Sequence, residues 1–180
     1  MRSLVLAASL ILAASGAAHA QTIDPVARAR EGVIECLGPD RVARTCAAIS
    51  NYRVLEGGEI ANDAAVHIQN DPTVIMYGTS TLYVRDGMLC ERVLRSTIDA
   101  ARITIDGQPA PEDVAQSIRA AFWKALAGVT EICSRYTADG DGAAVAIYFD
   151  GVVQPELADR AIWVRPEDGY TIGAADASPA

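Results

Sequence analysis

The chain has 180 residues, 51% of them hydrophobic, with 23 acidic and 15 basic side chains and a formal net charge of −8. That balance repels phosphate backbones and anionic lipid surfaces alike, which argues against nucleic-acid binding. The length suits one domain with a substantial core better than two, and no apolar run approaches the roughly twenty residues that a spanning helix needs.

Met1-Arg2-Ser3 is a short positive segment, Leu4 to Ala14 an apolar one, and Ala18-His19-Ala20 a small-x-small cleavage site. Residues 1–20 therefore read as a secretory signal peptide, with a mature chain starting near Gln21 and destined for a bacterial periplasm or beyond. Cys36, Cys46, Cys90 and Cys133 all follow that site. In an oxidising compartment an even count implies two disulfides, and of the three possible connectivities the spacing favours Cys36 with Cys46 and Cys90 with Cys133.

From Asp24 the run Asp-Pro-Val-Ala-Arg offers a cap and a proline in the first turn, followed by Val26, Val33, Ile34 and Leu37, which predicts a short helix. Gly38-Pro39-Asp40 interrupts it, and Val42, Cys46 and Ile49 predict a second, so the N-terminal part is expected to be a helical corner. Between Tyr52 and Ile105, short β-branched and aromatic runs alternate with turn signals and predict an antiparallel meander. Asp-Gly occurs six times, at Asp86, Asp106, Asp139, Asp141, Asp150 and Asp168 with their following glycines, and such pairs supply the positive φ angles of tight hairpins.

Pro111 to Tyr136 is the longest periodic stretch. Val114, Ile118, Ala121, Phe122, Ala125, Leu126, Val129, Ile132, Cys133 and Tyr136 recur at three- and four-residue steps, predicting one long helix over about 111–135 packed on the sheet. Returning strands follow at 144–149, 160–164 and 170–172, and residues 174–180 read as a flexible tail. The expected fold class is α+β: a helical corner, an antiparallel meander, the long helix and the returning strands, in a single domain over 21–173.

Chemistry is harder to find. Gly78-Thr79-Ser80 is half of a nucleophile elbow, and its one available base, His67, reads as a polar-face strand residue. Asp139-Gly140-Asp141-Gly142 resembles the start of a calcium loop, but Ala143, Val145 and Ile147 are apolar where oxygen ligands would follow. Asp99, Glu112, Asp113, Glu131, Asp150 and Glu156 offer carboxylates, and nothing in the sequence pairs them. No C-x-x-C occurs, and neither a metal nor a cofactor is implied. Trp123 falls away from the centre of the predicted helical stripe, and Trp163, which alternation places on the outer face of its strand, and Tyr170 join it as a candidate contact surface.

The expected function is accordingly that of an exported cell-envelope protein, a non-catalytic binding or interaction module stapled by two disulfides, whose partner is an envelope protein, a glycan or a small ligand. The alternative is an exported hydrolase without a recognisable motif.

Overall fold

The computed structural model describes residues 21–173; the expected signal peptide and tail lie outside the described residues. In chain order they form α1 (Pro25–Ala29), β1 (Ile34–Asp40), β2 (Thr45–Val54), β3 (Ile60–Gln69), β4 (Val74–Arg85), β5 (Met88–Arg92), α2 (Arg95–Asp99), β6 (Arg102–Ile105), β7 (Gln108–Pro109), α3 (Glu112–Ala125), β8 (Glu131–Asp139), β9 (Gly142–Phe149), β10 (Val152–Val164) and β11 (Thr171–Ile172).

Strand pairing closes on itself. β1 pairs with β2, β2 with β3, β3 with β4, β4 with β5, β5 with β8, β8 with β9, β9 with β10, and β10 returns to β1, every pair antiparallel. The result is an eight-stranded up-and-down barrel, which removes the free edges that an open sheet would leave. Two of its two-residue turns, Asp86-Gly87 and Asp150-Gly151, are Asp-Gly pairs with both φ angles positive, as is Asp106-Gly107 between β6 and β7. These mirror-image turns match the right-handed twist of the strands they join.

This architecture corrects the expected α+β class in two places. The predicted helix over 111–135 is α3 only as far as Ala125, and its end from Glu131 onward belongs to β8. Gly128, at φ +87°, stops the helix. Ile132 and Tyr136 are four residues apart, a spacing shared by one helical turn and by two strand repeats, so the apolar stripe continued through the break without a change of period. The predicted N-terminal helical corner is likewise absent. α1 is a five-residue helix, capped by Asp24 through Val26 N–H (2.9 Å) and Ala27 N–H (3.2 Å), and Ile34 to Val54 is a β-hairpin.

That hairpin folds back on itself. Register sets Cys36 opposite Ile49 and Cys46 opposite Pro39, yet Cys36 and Cys46 are bridged with Cα atoms 5.3 Å apart. Gly38, at φ +57°, supplies the bend between them. The hairpin tip therefore lies over the outer face of the barrel and buries Ile162 and Val164, with Ile34, Ile49 and Tyr170 packed alongside. Arg41 near the tip reaches Asp141 in the β8–β9 turn (2.7 Å), and β11 adds a short parallel pairing to Thr45 and Cys46. The second disulfide, Cys90–Cys133, joins directly opposed residues of β5 and β8.

The two ends of the barrel are closed differently. At one end α1 inserts Val26 among Ile60, Leu82, Leu89 and Val145, and the preceding segment is tied to β8 by Ile23 N–H to Tyr136 C=O (3.0 Å) and Ala138 N–H to Gln21 C=O (2.8 Å). At the other end the chain leaves β5 and forms α2, β6, β7 and α3 before re-entering at β8. β6 takes the place beside the first half of β4 that β5 does not reach, pairing Val74 with Ile105 and Tyr77 with Arg102. α3 lays Ala115 and Ile118 over Val74, Met76, Ile103 and Ile105. Arg119 fastens the insertion through its guanidinium to the Ala101 carbonyl (3.0 Å) and to Glu112.

Candidate functional site

Alternation along the ring strands decides which side chains face inward. On β1 these are Glu35 and Leu37, on β2 Ala48, Ser50 and Tyr52, on β3 Asn62, Ala64 and Val66, on β5 Leu89 and Glu91, and on β8 Ile132, Ser134 and Tyr136; all line one interior cavity of about 220 Å³. A second cavity of about 170 Å³ shares Asn62, Ala64, Val66, Glu91 and Ile132 with it and continues to the inner surfaces of α2 and α3, at Ile98, Phe122 and Leu126. The two adjoin along those shared residues. Their volumes together fall in the lower part of the range usual for small-molecule pockets, about 300–1,000 Å³.

The space has three levels. The floor is the apolar cluster around Val26. Above it runs a polar belt centred on Glu35, which is only 3% exposed. Tyr52 donates to Glu35 Oε2, Tyr136 Oη lies 3.3 Å from the same oxygen, and the two phenol oxygens are 3.4 Å apart. Burial pushes the Glu35 carboxyl up to about 6, the two phenols drawing it partly back. The same burial, with the adjacent carboxylate, holds both tyrosines well above their ordinary range, so they stay protonated and act as donors.

The belt continues across the barrel to Asn62, Ser80 and Glu91. Asn62 pairs with Ser80 across β3 and β4, and Ser80 in turn hydrogen-bonds Glu91, whose carboxyl is also raised by burial. Asn62 Oδ1 and Trp163 Nε1 are buried without a hydrogen-bond partner. The third level, toward α2 and α3, is lined mainly by small and apolar groups, with the Thr79 and Thr97 hydroxyls and Arg92 among them. Gly78 belongs to it: a Cβ built there meets nothing within 4 Å, and its φ is not in the left-handed region.

The candidate contact residues occupy three separate settings. Trp163 faces into the barrel rather than outward as alternation suggested, its ring 6.3 Å from that of Tyr136 and under the Arg28 guanidinium at 5.5 Å. Tyr170 packs beside the Cys36–Cys46 bridge. Trp123 is half-buried on α3 with Arg95 at 5.5 Å from its ring.

Ser80 and His67 do not meet either. Ser80 is opposite Asn62 with its side chain inward, whereas His67 follows the inward Val66, points to the other face and pairs with Ile75. Among the carboxylates singled out from the sequence, Asp99 pairs with Arg95, Glu112 with Arg119 and Glu131 with Arg85, while Asp150 accepts from Thr130 Oγ1 (2.6 Å) and Glu131 N–H (3.0 Å). The acids that share a cavity are Glu35 and Glu91, which sequence reasoning did not single out. Glu35 carried one usable signal, an acid between Ile34 and Cys36 in an otherwise apolar run.

Cys90, Glu131 and Cys133 approach closely enough to suggest three metal ligands, but both sulfurs are committed to the disulfide. No protein-family model matches this chain, and no curated protein or solved structure does either.

Proposed function

We propose that the protein is an exported binding protein that holds one small molecule inside its barrel. The observation carrying this reading is the pair of adjoining interior cavities, polar where they meet and more apolar toward the α2–α3 end, with the buried Asn62 Oδ1 left without a hydrogen-bond partner among the described residues. A structural core of this size would be expected to fill with side chains and to pair its polar groups. Of the partners expected from the sequence, a small ligand is the one this geometry favours. Two disulfides fit an oxidising compartment, and the acidic surface disfavours polyanions.

The hydrolase alternative loses its Ser80 and His67 pair, which lie on opposite faces of the sheet, and only the carboxylate pair Glu35 and Glu91 is left to carry it.

The test is titration with N-phenyl-1-naphthylamine, a neutral apolar probe whose fluorescence rises on leaving water. Wild type should saturate at one site. Gly78→Leu, which fills the apolar level, should abolish the signal, and Ala144→Trp, at an exposed outward position, should leave it unchanged. Equal binding by Gly78→Leu and wild type would refute an interior site.

A further inference from the structure

We propose that the ligand is a protonated organic amine with a short apolar body, its ammonium seated in the polar belt between Glu35 and Glu91 and its body in the level beneath α2 and α3. This rests on the interior-site reading above and names the class of molecule that site takes.

The charge inventory of the belt carries the inference. Glu35 and Glu91 line the same cavity, and among the residues lining it there is no lysine, arginine or histidine. Buried carboxylates are ordinarily paired with a cation or several donors. Both phenol contacts on Glu35 fall on Oε2, and Oε1 receives no hydrogen bond among the described residues. Glu91 has the Ser80 hydroxyl alone. Asn62 Oδ1, buried between them along the belt, is a third acceptor without a donor. An ammonium brings a positive charge and up to three donors, which is what these three acceptors lack.

The same inventory opposes the anionic amphiphiles that apolar barrels often hold. A fatty acid entering head first would set a third carboxylate beside two others with no inward cation to receive it. Arg92, the one basic residue lining the upper space, is solvent-exposed at its rim. The upper level fixes the other half of the ligand, because Ile98, Phe122 and Leu126 present apolar surface there and the only uncharged polar side chains beside them are the Thr79 and Thr97 hydroxyls.

The experiment is isothermal titration of the mature chain at pH 7.5 with octylammonium, octanol and octanoate, which share a tail and differ in head group. Octylammonium should bind at least about tenfold more tightly than octanol, and octanoate most weakly, since the cost of leaving a buried charge unpaired exceeds a factor of ten. Glu35→Gln and Glu91→Gln should each weaken octylammonium by about tenfold or more while leaving octanol unchanged. Circular dichroism identifies any variant that fails to fold, and either acid alone suffices for the test.

Octanoate binding as tightly as octylammonium, or octylammonium affinity unchanged in a folded Gln variant, would overturn the amine assignment while leaving the interior site intact if octanol binding is still lost in Gly78→Leu. Failure of all three probes, or binding that survives Gly78→Leu, would overturn the interior site and the amine assignment together.

Discussion

Glu35→Gln provides a test of the polar belt that needs no ligand. In the unfolded chain this carboxyl titrates at its ordinary 4.5, whereas in the folded protein burial holds it at about 6. Between those values the native state keeps a proton that the unfolded state has released, so stability falls as pH rises. The contribution is fully present below pH 4.5 and is lost as pH passes through 6. A difference of about 1.5 pKa units corresponds to about 2 kcal/mol. For a domain of this size that is roughly 4–8 °C in Tm. Thermal unfolding of wild type and Glu35→Gln at pH 4.5, 5.5, 6.5 and 7.5 isolates the residue, because other groups, including the similarly raised Glu91, titrate in both proteins. The variant should gain about 2 kcal/mol on wild type between the lowest and highest pH. Tyr52→Phe supplies an independent check: removing a donor that favours the ionised form should move the wild-type transition to higher pH. Parallel Tm profiles for wild type and Glu35→Gln, in two folded proteins, would refute a buried titrating Glu35.

Other predictions concern the frame that holds the belt. Replacing both Cys90 and Cys133 by alanine opens a 43-residue loop and should lower stability in urea unfolding by about 4 kcal/mol; the corresponding Cys36 and Cys46 pair closes 10 residues and should cost about 3 kcal/mol on chain entropy. A reversed order would show that the folded-back hairpin contributes more than its loop length implies. Gly142→Ala would place a Cβ 2.2 Å from the Ala161 carbonyl oxygen across β9 and β10, and should cost at least the roughly 1–3 kcal/mol of ordinary overpacking, read as a lowered urea midpoint. Asp24→Ala removes the cap of α1 and should cost about 1 kcal/mol, with faster amide exchange at Val26 and Ala27 in particular.

The parts of this fold that the sequence disclosed are those decided locally. Asp86-Gly87, Asp106-Gly107 and Asp150-Gly151 mark hairpins because Asp and Gly readily take two successive positive φ angles, and the even cysteine count in an oxidising context implies two bridges. The errors fell where a local pattern fits two periods. Ile132 and Tyr136 suit a helix and a strand equally, and Val42, Cys46 and Ile49 lie at helical spacing while forming part of a hairpin bent double at Gly38. Gly128 is the one local sign of the break in the first segment, and the apolar spacing itself distinguishes the outcomes in neither. Pairing of β8 with β5 and β9, and of β2 with β1 and β3, settles them, and the ring that fixes those pairings closes only when Ile34 of β1 meets Val164 of β10.

The candidate site was harder to read for a related reason. Alternation shows that two faces of a strand differ, and it does not show which face is inside. In β1 the outer face is buried as well, because the folded hairpin covers Cys36 and Ile162, so Ile34 and Cys36 read as the core and Glu35 as the solvent side. In β5, Glu91 stands between a disulfide cysteine and an exposed arginine and reads as ordinary surface. Glu35 is marked only by its apolar neighbours in sequence, and Glu91 by nothing local. Only closure of the eight strands turns both toward one cavity, together with Asn62 and with no lysine, arginine or histidine lining it, and the proposed preference for an ammonium rests on that absence of an internal counter-charge.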